Sequence, residues 1–306
     1  MSDIKLFRTD GKNVTQLEGH SVSLERSLQS LIEGNLEIFL GIRFLASEYS
    51  TGKTHAGRID TLGIDENGCA CIVEYKRSSN ENVINQGLFY LDWLLDHKAE
   101  FESLVAKKFG QATSDSIEWS SPRLICIAGD FTKYDGHAVQ QIDRNIELIR
   151  YVRFADEFLL FEMVHSVATA EATGPKPSKI APSPGSTQAK SVEDQIARCS
   201  QELLDLYHEL DTFIMSLGDD VQKKTLKWYL AYRRIKNFVS LEFQHALNKM
   251  LVFVKVDPDS LVVEPGFMRD VRDIGHFGTG SLELTIRNRE DLKKSLPLIE
   301  LSYEAN

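Results

Sequence analysis

Basic charge is scarce in this 306-residue chain: 35 Lys and Arg face 45 Asp and Glu, for a net charge of −10. That balance excludes a protein that coats nucleic acid through bulk electrostatics, although a few placed cations beside a metal ion can still position a polyanion. Long apolar runs are also missing, none approaching the roughly 18 residues of a membrane span. The start, Met1-Ser2-Asp3-Ile4-Lys5, lacks the basic stretch and apolar core of a secretory signal. The expectation is a cytoplasmic protein without a membrane partner. Cysteine is rare too: Cys69, Cys71, Cys126 and Cys199 form neither a CxxC pair nor a zinc spacing, which predicts buried thiols in a reducing compartment. The eight histidines show no HxxxH or HExxH pair and no GxSxG occurs, so zinc hydrolysis and acyl transfer have little support. Two near-motifs fail. Ser50-Thr51-Gly52-Lys53-Thr54 has Ser47 where a P-loop needs glycine, and Gly275-His276-Phe277-Gly278-Thr279-Gly280 precedes a strand pattern rather than a helix. Both read as turns.

What is present is a globular composition, 42% hydrophobic and 26% charged, at a length that suits two domains. Residues 166–190 hold four of the eight prolines and almost no large apolar residues, the composition of an extended linker. This predicts a first domain over 1–165 and a second over 191–306. In the first, the order of patterns is a helix from a Ser23 cap to about Glu33, a strand-like stretch over Leu36–Ser50, a hairpin, and a helix over Asn82–Phe109. A strand over Arg123–Ala128, a helix over Gly136–Arg150 and a strand over Glu157–Val164 complete it. In the second, one amphipathic helix over Val192–Met215 precedes strand patterns near Thr225–Tyr232, Phe238–Phe243, Met250–Val256 and Ser281–Ile286, with a helix from Arg289. The expected classes are α/β, a mixed sheet flanked by helices, and then α+β with an antiparallel sheet.

The hairpin carries the chemistry. Turn-forming Asp65-Glu66-Asn67-Gly68 separates Gly57-Arg58-Ile59-Asp60-Thr61-Leu62 from Cys69-Ala70-Cys71-Ile72-Val73-Glu74-Tyr75-Lys76. With the turn centred on Asn67, Asp60 faces Glu74, and Lys76 joins them on that face two residues on. Carboxylates opposed at roughly 5 Å repel by about 3 kcal/mol at an effective dielectric near 20. Such a pair needs a cation, a shared proton or a neighbouring ammonium. A hard divalent cation held by one or two carboxylates is the arrangement of metal-assisted phosphodiester hydrolysis. The same three residues also suit a salt-bridged strand surface, but Leu62 and Ile72 share their face and imply partial burial.

Asp, a hairpin turn and Glu-x-Lys resemble the signature of the PD-(D/E)XK nuclease superfamily. The wording Gly57-Arg58-Ile59-Asp60 and Val73-Glu74-Tyr75-Lys76-Arg77 is most similar to the RecB-type domain of NucS-like endonucleases. The resemblance covers roughly residues 20–165 and departs in having no proline before Asp60. It implies a restriction-endonuclease-like fold, with Asp60 and Glu74 binding Mg²⁺ or Mn²⁺ and Lys76 orienting the attacking water. It further implies an added metal-binding acid at Glu25 on the preceding helix, and a supporting Gln-x-x-x-Tyr pair at Gln86 and Tyr90. DNA is the implied partner, with Arg58 and Arg77 as contacts, and a homodimer is an assembly to test. The other reading is a nucleic-acid or protein interaction module that keeps the fold without cutting. The second domain resembles a family of unknown function, which supplies no chemistry.

One run in the second domain reverses the local charge: Lys223 to Phe238 holds six basic residues and no acid, with Trp228, Tyr229 and Tyr232 interleaved. Cations beside rings suit nucleic acid, with Lys223, Lys227 and Arg233 as contacts. A sheet strand with buried rings and a solvated basic rim is the alternative.

Overall fold

The computed structural model describes residues 4–20, 26–52, 56–75, 83–155, 157–167 and 191–306. Ser23, Glu25, Lys76, Arg77 and most of the expected linker lie outside the described residues. The chain divides into two compact units, Met1–Thr169 and Ala170–Asn306.

In the first unit, β1 (Leu6–Asp10) and β2 (Asn13–Leu17) form a separate hairpin. A seven-stranded sheet follows, built from β3 (Gly19–His20), β4 (Ile42–Ser50), β5 (Arg58–Asp65), β6 (Cys69–Tyr75), β7 (Glu118–Ala128), β8 (Asn145–Phe154) and β9 (Phe158–Val167). Its order is β3-β8-β7-β6-β5-β4, with β9 also paired to β8. Strands β4, β5 and β6 are an antiparallel meander, β6, β7 and β8 run parallel, and β9 returns antiparallel. Parallel neighbours need crossovers. Helices α3 (Val83–Asp96), α4 (Lys98–Phe109) and α5 (Gln111–Asp115) lie between β6 and β7, and α6 (Lys133–Gln140) between β7 and β8; α1 (Arg26–Gly34) and α2 (Leu36–Leu40) precede β4. The core joins Leu62, Ile64, Ala70, Ile72, Leu124 and Leu148 of the sheet to Ile84, Leu91, Leu94, Phe101 and Val105 of α3 and α4. Gly87 lets α3 approach closely, since a Cβ there would sit 2.5 Å from a methyl of Leu124.

Several local expectations change. The helix expected over Asn82–Phe109 is two, α3 and α4, parted at His97. Leu36–Leu40 is a helix rather than the start of a strand, stopped by Gly41 in the left-handed conformation at φ 65°. Asn145–Arg150 is strand, not helix: α6 ends at Gln140, and every residue from Asn145 to Ile149 is buried. The long helix of the second unit is two, α7 (Val192–Ile196) and α8 (Gln201–Ser216), because the Ser200 hydroxyl accepts the Leu203 N–H and caps a new start.

The second unit is a six-stranded antiparallel sheet in the order β10-β11-β12-β13-β15-β14. Its strands are β10 (Gln222–Thr225), β11 (Leu230–Arg233), β12 (Asn237–Gln244), β13 (Lys249–Val254), β14 (Met268–Asp270) and β15 (Leu282–Ile286), followed by α9 (Arg289–Glu304). The expected strand over Thr225–Tyr232 is interrupted: Thr225 ends β10, Leu230–Tyr232 belong to β11, and 226–229 make the turn between them. Leu206, Leu210 and Ile214 of α8 and Leu292 and Ile299 of α9 pack on one sheet face. On the other, the glycine-bearing loop turns back at Gly278 (φ 78°), and His276 stacks on Phe253 at 4.4 Å. Among the described residues no helix is long and apolar enough to cross a membrane.

Candidate functional site

The β5–β6 ladder pairs Thr61 with Val73, Leu62 with Ile72, Gly63 with Cys71 and Ile64 with Ala70, which centres the turn on Asn67. One step beyond the last pair, Asp60 stands opposite Glu74. There the carboxylates take over from the backbone ladder. The Asp60 N–H donates to Glu74 Oε1 at 3.0 Å, and the Tyr75 N–H donates to Asp60 Oδ2 at 3.0 Å. Each acid therefore hooks the opposite strand, on the face shared with Leu62 and Ile72. Asp60 is 9% exposed and Glu74 1%.

Asp60 lines a cleft of about 660 Å³ together with Glu48, Arg58, Tyr75, Gln86 and Tyr90. Gln86 and Tyr90, one turn apart on α3, meet at the phenol, where Gln86 Nε2 donates to Tyr90 Oη at 3.3 Å. The same oxygen accepts the Arg58 N–H at 3.1 Å. Gly57 is required beside it, because a Cβ would come within 2.5 Å of the Tyr90 ring. Tyr90 thus braces the start of β5, two residues from Asp60. At the rim, Arg58 Nη1 pairs with Glu48 Oε2 at 3.1 Å. Beside the Ser50–Thr54 near-motif, the Thr51 N–H donates to the Gly57 carbonyl at 3.0 Å, tying the end of β4 to the approach to β5; Lys53, Thr54 and His55 lie outside the described residues.

A further acid reaches the hairpin from α1, and it is Glu33. Its Oε1 accepts from Thr61 Oγ1 at 2.6 Å, Ser47 Oγ at 2.8 Å and Gln29 Nε2 at 3.1 Å. The Thr61 hydroxyl also lies 3.4 Å from that of Tyr75. Burial pushes the Tyr75 phenol well above its ordinary range, and the negative charges of Glu33, Asp60 and Glu74 push it the same way, against the Thr61 hydrogen bond. The available signal for Glu33 was its place at the end of the helix that leads into the sheet.

Among the described residues, no group of three or more His, Cys, Asp or Glu side chains is gathered to hold a metal ion. Asp60 and Glu74 supply two hard oxygen donors, which fits Mg²⁺ or Mn²⁺, ions usually bound through one or two carboxylates with waters and substrate phosphates. Because a carboxylate offers about four lone-pair positions, a backbone bond to one oxygen does not bar a cation.

The other end of the hairpin, on the opposite sheet face, holds a buried ionic cluster that sequence reading did not find. Arg123 on β7 grips Glu147 on β8 through Nε (2.9 Å) and Nη2 (2.8 Å), and reaches Asp65 Oδ2 through Nη1 at 3.1 Å. Asp65 Oδ1 accepts the turn N–H groups of Asn67 (2.9 Å) and Cys69 (2.8 Å). Burial works against the Arg123 charge, but Glu147 and Asp65 hold the guanidinium firmly protonated.

In the second unit the basic run is largely engaged within the protein. Lys223 Nζ donates to Tyr207 Oη and Asp211 Oδ1, each at 3.1 Å, and Arg234 Nε to Asp220 Oδ2 at 2.7 Å. Arg233 is 2% exposed, so its guanidinium is not on a rim. Lys227 is exposed, its ammonium 5.0 Å from the centre of the Trp228 ring.

Residues 192–306 match the model of a family described as a domain of unknown function, DUF5655. An uncharacterized protein of Haemophilus influenzae is 26% identical over 309 residues, covering 97% of this chain and 98% of its own. A chain of the solved EndoMS–dsDNA2 complex is similar at a TM-score of 0.25 and 19% identity, over 47% of this chain and 49% of that one. This chain spans about half the length of that neighbour.

Proposed function

We propose that the cleft at the open end of the β5–β6 hairpin is the centre of a metal-dependent DNA endonuclease that hydrolyses phosphodiester bonds with water. The observation that carries this reading is the opposition of Asp60 and Glu74, with Asp60 lining a cleft of about 660 Å³. Asp60 and Glu74 would hold Mg²⁺ or Mn²⁺, joined by Glu25. When bound, the ion supplies Lewis acidity toward the scissile phosphate and a more acidic water. Lys76 orients the nucleophile and stabilises charge on the phosphoryl oxygens. Gln86 and Tyr90 keep the start of β5, and hence Asp60, in place. Arg58 and Arg77 take phosphates, as does exposed Lys227 in the second unit. The test is incubation with plasmid, linear, branched and mismatched DNA plus Mn²⁺, with Asp60→Ala as control. Cleavage by the wild type and none by the variant supports the reading, whereas equal cleavage by both rejects it.

A second reading is favoured by the reciprocal hooks between Asp60, Glu74 and the backbone, which also serve to close the end of a ladder. On that reading the cleft binds nucleic acid or a partner without cutting, and calorimetry finds no uptake of Mn²⁺.

A further inference from the structure

Glu48 is the cleft residue that the nuclease reading leaves without a task. It lies on β4 just past an irregularity in its pairing with β5, between Phe44 and Ala46. Its backbone is left-handed at φ 50°, a conformation that costs a non-glycine residue energy and recurs where geometry serves a site. Its carboxylate lines the same cleft as Asp60 and holds Arg58 across the rim at 3.1 Å. Arg58 and Asp60 are two residues apart on one strand and share a face. Among the described residues that line the cleft, Arg58 carries the positive charge. A phosphodiester that engages the full fork of Arg58 must therefore displace Glu48 from Nη1.

We infer that Glu48 is a placeholder for a substrate phosphate: in the free protein it occupies the guanidinium of Arg58, and a phosphodiester oxygen replaces it on binding. The exchange is chemically like for like, since carboxylate and phosphate both match the planar fork of arginine. It is also accessible. The Arg58 side chain is 67% exposed, and an ion pair so open to water is weak enough to yield. Until then the pair neutralises Arg58, so an anion gains its charge only by displacing Glu48. Glu48 is thus a specificity-determining residue, favouring a polyanion whose neighbouring phosphates bind elsewhere over an isolated phosphate. This inference rests on the proposal that the cleft takes nucleic acid.

The experiment measures binding of a short fluorescent oligodeoxynucleotide to the full chain by anisotropy. It is run in EDTA across a series of salt concentrations, so that no cleavage is needed. Glu48→Gln should tighten binding about three- to tenfold, and Arg58→Ala should weaken it and lower the salt slope by about one. The double variant should match Arg58→Ala, since without Arg58 the carboxylate has nothing to withhold. Glu48→Gly, which suits the left-handed backbone, should repeat the gain of Glu48→Gln and so guard against a folding artefact. Inorganic phosphate as competitor should displace the oligonucleotide better from Glu48→Gln than from wild type. Unchanged or weaker binding by both Glu48 variants, with Arg58→Ala still weakened, overturns the placeholder alone. Unchanged binding by Arg58→Ala as well removes nucleic acid from the cleft, and with it the reading beneath.

Discussion

The two ends of the β5–β6 hairpin both carry carboxylates, and they are finished in opposite ways. At the turn, Asp65 and Glu147 close around Arg123 in the protein interior, with the turn N–H groups taking the remaining Asp65 oxygen. At the open end, Asp60 and Glu74 are tied to the backbone, and Asp60 meets a cleft. A built-in guanidinium with full burial makes an internal joint across three strands. Acids of the same type beside an accessible volume make a place where something from outside can bind. The difference lies in what completes the charges, not in which residues carry them.

Breaking the closed end should have the largest effect. Arg123→Met leaves two carboxylates buried without their cation and should cost about 3–5 kcal/mol, read as a fall in the denaturation midpoint of the full chain. If stability is unchanged, the two ends do not differ as argued. At the open end, Asp60→Ala should reduce Mn²⁺-dependent cleavage by at least ~10²-fold while the chain stays folded, with a loss of about 1–3 kcal/mol from the unpaired Tyr75 N–H. A collapse of stability there would make Asp60 a second structural joint.

Glu242 in the second unit sharpens the contrast, as an acid whose shift comes from burial. Burial first, and the neighbouring Glu283 charge after it, raise its pKa from 4.5 to about 7 against the opposing Phe277 N–H bond. The folded value exceeds the unfolded one, so the stability it contributes is complete below pH 4.5 and lost as pH rises through about 7. Allowing for its partial exposure, the loss should be about 1–2 kcal/mol between pH 5 and 8, and Glu242→Gln should remove it. Unfolding curves with the same pH slope for both proteins would contradict this. The smallest effect belongs to the brace: Tyr90→Phe removes the acceptor of the Arg58 N–H and should cost about 1 kcal/mol. It should lower cleavage and, by loosening Asp60, weaken Mn²⁺ binding slightly.

The hairpin and its register were legible because turn residues and alternation are local signals, and both survive in a single window of sequence. The Arg123 cluster was not, since its members are brought together by parallel pairing of β7 and β8 through crossovers that no spacing encodes. Leu36–Leu40 misled because a short apolar run fits helix or strand equally, and Gly41 decides between them. Asn145–Arg150 misled because Ile146 and Ile149 also fit a helical spacing that continues α6. The basic run of the second unit was accurate in composition but silent about its partners. Asp211 comes from α8 and Asp220 from the turn after it, both outside the window in which the charges were counted.

Gly57 carries a consequence for how this sequence can change over time. No side chain fits there while Tyr90 occupies its present position, and a smaller residue at 90 would leave the strand start unbraced. The two positions are therefore tied: among descendants of this chain, a lineage that gains a side chain at 57 should already have lost the ring at 90. Substitutions arriving in the reverse order should be rare.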